Sequence, residues 1–148
     1  MKKILTFIII LLPWFLSALF MDTSFYKTIN LPSFAPKPIV FAIVWPILYI
    51  LIAISIYKVY EKVKLTNKSY LYTLLINYIF NQSFTFMFFY LKSPFLGLLA
   101  TLGTLISSLF LFNETREIDK QASYFLIPYI LWNAFATILS FAIFLLNL

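Results

Sequence analysis

The sequence predicts an all-α fold, an integral membrane bundle of five transmembrane helices with a long first loop acting as a lid, and three observations carry this reading. Five long apolar runs, approximately Ile4–Met21, Pro38–Tyr57, Ser69–Leu91, Pro94–Asn113 and Ser123–Leu148, contain no Lys, Arg, Asp or Glu. Each can cross a hydrocarbon layer of roughly 30 Å as a helix of about 20 residues. The 11 basic and 5 acidic residues all lie in the short gaps or at the amino end, so residues 1–148 read as a single transmembrane domain. A composition of 63% hydrophobic and 21% aromatic residues would also be hard to bury in a soluble chain of 148 residues, whereas lipid removes that constraint.

Continuity of the runs favours helices, because barrel strands alternate lipid-facing apolar residues with lumen-facing polar ones. The first run follows Lys2 and Lys3, a pattern shared with secretory signal peptides. Its nearest small-residue cleavage site, Ser17, Ala18 and Leu19, is poor and the run is long enough to span, so a retained first helix is expected. The connection Asp22 to Lys37 is long for a helix hairpin, and Pro32, Pro36 and the adjoining Pro38 restrict it toward extended conformations. Its Phe25, Tyr26 and Phe34 fit two readings, a lid folded over the bundle mouth and a linker resting on the membrane interface, where aromatics are common.

The second run carries Trp45, Tyr49 and Ala53 at four-residue spacing, hence on one helix face, with Pro46 able to disturb the helix beside them. On the third run Asn77 and Asn81 share a face, and Phe84 and Phe88 continue that stripe. A tight turn at Lys92 and Ser93 leads to the fourth run, where Gly97, Ala100, Thr104 and Ser107 put small side chains along one side. That side suits either a dimer seam or close packing within one bundle. The fifth run aligns Trp132, Ala136 and Ser140 beyond Pro128.

Basic residues set an expected orientation. Lys2, Lys3, Lys58, Lys62, Lys64, Lys68, Arg116 and Lys120 fall on one side, against Lys27, Lys37 and Lys92 on the other. The positive-inside rule then puts the amino terminus in the cytoplasm and the carboxyl terminus outside. The net charge of +6 reflects this topology, with some attraction to anionic lipid headgroups, and needs no nucleic-acid partner.

Missing residue types narrow the chemistry. With no His and no Cys, the chain lacks the usual haem and zinc ligands, thiol nucleophiles and imidazole bases, so no metal site and no cofactor is expected. Runs without ionisable groups argue against an ion pump, a voltage sensor or a proton-driven carrier. Two glycines, Gly97 and Gly103, cannot build a phosphate-binding loop.

What remains inside the membrane is aromatic surface with a few amides. Uncompensated amides are costly in lipid, so Asn77, Asn81, Gln82 and Asn133 should face the bundle interior. One reading makes them interhelical hydrogen-bond glue and the tryptophans packing or interfacial anchors. A sharper one joins the stripes into a pocket for a flat, mostly apolar molecule, stacked on Trp45 and Trp132, oriented by Asn77, with Ala136 supplying space.

Three segments carry a resemblance to a known family. Phe34 to Tyr49 reads FAPKPIVFAIVWPILY, Leu75 to Tyr78 reads LINY, and Pro128 to Leu139 reads PYILWNAFATIL. In this order, with this helix count and this long first loop, the chain resembles the TspO/MBR family, the translocator-protein or peripheral benzodiazepine receptor family, over essentially its whole length.

The resemblance implies a homodimeric five-helix bundle whose pocket opens beneath the first loop. It further implies binding of porphyrins such as protoporphyrin IX and of benzodiazepine-site drugs, and a role in stress responses. Trp45 and Trp132 match the family's pocket tryptophans, Asn77 its third-helix asparagine and Ala136 the small residue of the fifth-helix motif. Tyr49, Pro36 and Phe84 match nearby positions.

This chain departs from the family pattern at Lys37, where a second adjacent proline is common, and near Ala100, where many members carry an acidic residue. Ile138 to Leu148 lacks the tyrosine and basic residue of the mammalian cholesterol-recognition pattern, and the formal match of Leu51, Tyr57 and Lys62 to that permissive pattern carries no weight. A bacterial plasma-membrane member is therefore expected rather than a sterol importer. Two functions stay open: a tetrapyrrole-binding translocator or sensor, and a light- and oxygen-dependent porphyrin-degrading enzyme in which Trp45 and Trp132 act as redox-active catalytic groups.

Overall fold

Each apolar run becomes helix, and among the described residues there is no strand. The computed structural model describes residues 2–64 and 66–148; the Lys2 side chain, one of the basic groups counted for orientation, lies outside what is described. The helices are α1 (Lys2–Leu11), continued as a 3₁₀ helix over Leu12–Phe20, then α2 (Pro38–Val63), α3 (Lys68–Thr85), α4 (Pro94–Ile118), α5 (Lys120–Tyr124) and α6 (Ile127–Leu146). A π-helical turn, Phe86–Tyr90, finishes the third span.

Helix starts follow the local chemistry. Pro38 and Pro94 occupy first-turn positions, where a missing N–H costs nothing. The side chains of Asn67, Ser93 and Asp119 cap α3, α4 and α5 by accepting from Tyr70 N, Leu96 N, and Gln121 N with Ala122 N. α2 and α4 run on past the expected ends at Tyr57 and Asn113 to Val63 and Ile118, because the charged residues there suit a helix protruding into water.

Two runs expected as single helices are broken, each beside a proline. The first changes from α to 3₁₀ at Leu12, where Pro13 removes a donor and crowds the preceding turn. Its freed backbone is served by α3: Tyr78 Oη donates to Pro13 O at 2.9 Å, Gln82 Nε2 donates to Trp14 O at 3.2 Å, and Ser17 N donates to Gln82 Oε1 at 2.7 Å. The fifth is interrupted at Phe125 and Leu126, with Pro128 in the first turn of α6.

The spans close into a ring in which the first span contacts α2 and α3, α3 packs along α4, α4 along α6, and α5 and α6 against α2. Among the described residues, four helical stretches are long and apolar enough to cross a membrane: Lys3–Phe20, Pro38–Val63, Pro94–Ile118 and Lys120–Leu146. α3 is the most polar of the ring. Its amides turn inward, with Asn77 and Asn81 at 0% and 5% exposure, while Leu75, Ile76 and Ile79 face out. The whole molecule shows this inversion: Ile4, Ile8, Ile43, Ile47, Leu102, Ile106 and Ile138 are exposed, whereas Ser55, Thr104, Ser108, Thr115 and Asn133 are buried. Apolar residues outside and polar groups turned inside are what lipid demands, and the α3 amides among them are hydrogen-bonded.

The small side of α4 is used within the bundle. Gly97 lies so close to the π turn of the third span that an added Cβ would meet Phe88 Cδ2 at 2.6 Å, and Thr104 and Ser107 receive hydrogen bonds from Asn77 of α3. Lys62 Nζ pairs with the buried Asp119 at 3.1 Å, tying the end of α2 to the cap of α5. Burial pushes the Asp119 carboxyl up, but the Ala122 N–H, the Lys62 ammonium and the Gln121 N–H outweigh it and hold the group below the usual carboxylate range.

Candidate functional site

Inside the ring is a cavity of about 510 Å³, within the usual range for small-molecule sites. α2 contributes Phe41, Trp45 and Tyr49; α3 and its π turn contribute Asn81, Phe84, Thr85 and Phe88; α6 contributes Trp132, Asn133, Ala136, Leu139 and Ser140. Thr101 and Thr104 of α4 and Ser17 of the first span complete the wall. No lining residue is charged. A molecule inside must therefore be apolar or carry neutral polar groups, since an unpaired charge would lose its hydration without compensation.

Aromatic planes dominate the surface. The Trp45 and Tyr49 rings are 5.5 Å apart and inclined at 34°, and Trp14 stands against the same tyrosine at 5.8 Å and 36°. Opposite, Trp132 contacts Phe41 at 5.8 Å and Phe135 at 5.4 Å, and Phe84 stacks on Phe88 at 5.4 Å and 9°. Such faces suit a flat conjugated ligand.

The first connection is folded against the bundle. Its Phe25–Lys27 turn brings Tyr26, 8% exposed, and Thr23 into the cavity wall. Phe25 meets Phe88 at 5.4 Å, Tyr26 meets Phe41 at 6.1 Å and Phe34 meets Phe135 at 6.4 Å. Its far end is held to α6, where Asn30 N donates to Asn147 Oδ1 and Asn147 Nδ2 donates to Asn30 O, both at 2.9 Å. Exposed members of the wall, Ala18, Met21, Ile39 and Ala42, mark an opening between the first span and the start of α2.

Of the residues singled out from the sequence, Trp45, Tyr49, Phe84, Trp132 and Ala136 line this cavity. Asn77 and Pro36 are not among its lining residues. Asn77 sits behind the wall, its Nδ2 donating to Thr104 O at 3.2 Å and Ser107 Oγ at 3.0 Å, its Oδ1 accepting from Tyr129 Oη at 3.1 Å. Tyr129 passes the connection forward by accepting from Asn81 Nδ2 at 3.1 Å, and it is Asn81, one turn further along α3, that reaches the cavity. Pro36 shapes the loop, its carbonyl accepting from Tyr26 Oη at 3.4 Å.

Phe41, Tyr26 and Asn133 were absent from the sequence-based site. Phe41 stands four residues before Trp45 and extends the stripe already recognised, so periodicity alone could have added it. Nothing in the pattern distinguishes Tyr26 from its loop neighbours. Among the described residues no group of His, Cys, Asp and Glu is arranged to hold a metal.

Comparison with known proteins agrees with this architecture. The TspO/MBR family model matches residues 4–146. The tryptophan-rich protein TspO of Bacillus cereus is 35% identical over 126 residues, 85% of this chain and 82% of that protein. The membrane protein YtaB of Bacillus subtilis is 38% identical over 128 residues, 86% and 83% of the two chains. An archaeal TspO, from Archaeoglobus fulgidus, is 28% identical over 128 residues, 84% and 80%. A family match over nearly the full length, with relatives of this identity and coverage, places this integral membrane protein in the TspO/MBR family.

Proposed function

We propose that this protein binds flat, largely apolar tetrapyrroles, with protoporphyrin IX as the representative ligand, and works as a membrane translocator or sensor for them. The observation that carries the reading is the uncharged cavity of about 510 Å³ with Trp45 and Trp132 among its lining residues. A macrocycle offers broad π faces to the indoles. Its carboxylates stay at the aqueous rim, near Lys37 beside the rim residue Pro38 or Lys27 beside Tyr26. The same space suits benzodiazepine-site drugs. We place the protein in a bacterial plasma membrane as a homodimer, amino terminus cytoplasmic, on the basic-residue bias and the family membership.

A second reading, light-driven porphyrin degradation with dioxygen as oxidant, draws on the same two indoles, both oxidisable and both on the cavity wall. One experiment addresses both. Purified wild type, Trp45→Phe and Trp132→Phe are titrated with protoporphyrin IX by its absorption shift, then illuminated at matched occupancy with and without oxygen. Saturable binding weakened in both variants supports the binding reading; no saturable binding rejects it. Product formation that needs oxygen and falls in the variants supports the enzyme, and equal rates and products in all three reject it.

A further inference from the structure

The first span changes neighbour halfway along. Its α half packs along α2, but beyond Pro13 its 3₁₀ half is tied to the third span, through Tyr78 on Pro13 O, Gln82 on Trp14 O and Ser17 N, and Phe20 against Phe86 at 5.6 Å. Its last links to α2 are at Tyr49, whose hydroxyl lies 3.4 Å from Ser17 Oγ and whose ring meets Phe15 at 5.3 Å. From Ala18 to Met21, no hydrogen bond or ring contact among the described residues joins the span to α2. This parting is the open side of the cavity. Every exposed residue of the wall falls within 15–23 or 38–42, and the wall supplied by α3, α4 and α6 contains none. Its edges are apolar: Ala18 and Met21 on one, Ile39 and Ala42 on the other. They continue into Leu16, Leu19, Ile43 and Ile47, exposed side chains of the lipid-facing surface.

Toward water the cavity is shut. Tyr26 is buried, Phe25 rests on Phe88, and Asn30 and Asn147 exchange two hydrogen bonds. We infer that the gap between the 3₁₀ half of the first span and the start of α2 is a lateral portal, through which flat apolar ligands pass between the cavity and the lid-side leaflet of the bilayer without the lid opening. The inference rests on the cavity reading above and adds the source of the ligand: molecules already dissolved in the membrane. A ligand passing under a raised lid would expose its apolar faces to water, whereas one sliding from acyl chains onto the aromatic wall keeps them covered. Carboxylates held at headgroup level stay hydrated on the way, because the opening reaches Pro38 at the rim, beside Lys37. The break at Pro13 and its support by Gln82 then hold the portal apart.

The chain contains no cysteine, so introduced thiols are the sole targets for maleimides. Ala42→Cys, on the portal edge, is labelled with N-benzylmaleimide; Leu19→Cys, 78% exposed and off the cavity wall, carries the same label as a control. Asn30→Cys with Asn147→Cys is bridged by bis-maleimidoethane to lock the lid. Each protein in lipid vesicles receives protoporphyrin IX, and the saturable phase of tryptophan quenching reads entry, while displacement by excess unquenching competitor-free vesicles reads exit. The label at Ala42 should slow entry by about tenfold, and the Leu19 label and the bridged lid should leave it within about twofold of the unmodified proteins. Exit should slow in proportion at Ala42, since a blocked route acts in both directions. A label that weakens affinity and speeds exit merely fills the cavity, and that result overturns the portal. Entry slowed by the bridged lid as much as by the Ala42 label, or unchanged by the Ala42 label, also overturns it and leaves the cavity reading standing. Absence of saturable quenching in wild type overturns the cavity reading with it.

Discussion

Asn147, at the end of α6, clasps Asn30 of the first loop: Asn147 Nδ2 donates to the Asn30 carbonyl at 2.9 Å while Asn30 N donates to Asn147 Oδ1 at 2.9 Å. The two residues are 117 positions apart, and the pair fastens the far side of the lid to the span that carries Trp132 and Ala136. Together with Phe25 on Phe88 and Phe34 on Phe135, it holds the loop over the cavity. Asn147→Ala removes both of these bonds and a third, from Asn147 Nδ2 to Ile143 O. Each partly hydrated bond contributes roughly 0.5–1.5 kcal/mol. Amide hydrogen exchange across residues 22–37 should rise about tenfold in the variant, and exchange at the wild-type rate would show that the ring contacts hold the lid without the clasp.

Asn77 acts through its neighbours. With 0% exposure and three hydrogen-bonded partners, its truncation to Ala leaves the Tyr129 hydroxyl proton without its acceptor and takes one donor from Ser107 Oγ and from the Thr104 carbonyl, which remain bonded to each other. The expected loss is about 1–3 kcal/mol of stability, read as a lower melting temperature in detergent. Porphyrin affinity should change less than for a substitution on the cavity wall. A large affinity loss at unchanged melting temperature would mean that Asn77 meets the ligand itself.

Gln82 secures the broken first span by serving the Trp14 carbonyl and the Ser17 N–H at once. Gln82→Leu keeps the volume and removes both bonds and a third, from Gln82 Nε2 to Asn81 Oδ1 at 2.9 Å, at an expected cost of about 1–3 kcal/mol. Protease sensitivity between Leu12 and Phe20 should increase. Unaltered sensitivity and melting temperature would show that 3₁₀ winding needs no support from α3.

Asp119 gives the fold an acid-sensitive joint outside the membrane. Its folded carboxyl titrates below the ordinary 3.8, so the stability it confers is complete above that value and is lost as pH falls through the lower, folded one. Asp119→Asn keeps a side chain able to cap α5 but loses the charge facing Lys62. Melting curves should separate the two proteins near neutral pH and converge as pH falls through the lowered value of the folded carboxyl. A gap that persists undiminished in acid would assign the difference to packing.

Much of the bundle was legible because lipid imposes a simple requirement, continuous apolar surface over a fixed length, and five charge-free runs satisfy it. The cavity tryptophans were legible because four-residue spacing puts Trp45 with Tyr49 and Trp132 with Ala136 on shared faces. Depth was not legible. Asn77 and Asn81 share one face of α3, and only the approach of α4, with Thr104 and Ser107 against Asn77, decides which amide is enclosed and which meets the cavity. The break after Leu11 has its local cause in Pro13, but the groups that satisfy it, on Tyr78 and Gln82, lie 65 or more positions away and no local pattern shows them. The break before α6 was foreshadowed by Pro128, whose first-turn position ends the continuity of an otherwise unbroken apolar run.

Ala136 offers the most direct test, because it lies on the cavity wall with Trp45 and Trp132 and a larger side chain there takes up ligand space. Protoporphyrin IX is titrated into wild-type protein and Ala136→Phe, matched for melting temperature, with tryptophan fluorescence quenching as the readout. The account predicts saturable quenching in wild type and at least a tenfold weaker affinity in the variant; equal affinity in the two proteins would place the ligand elsewhere and contradict it.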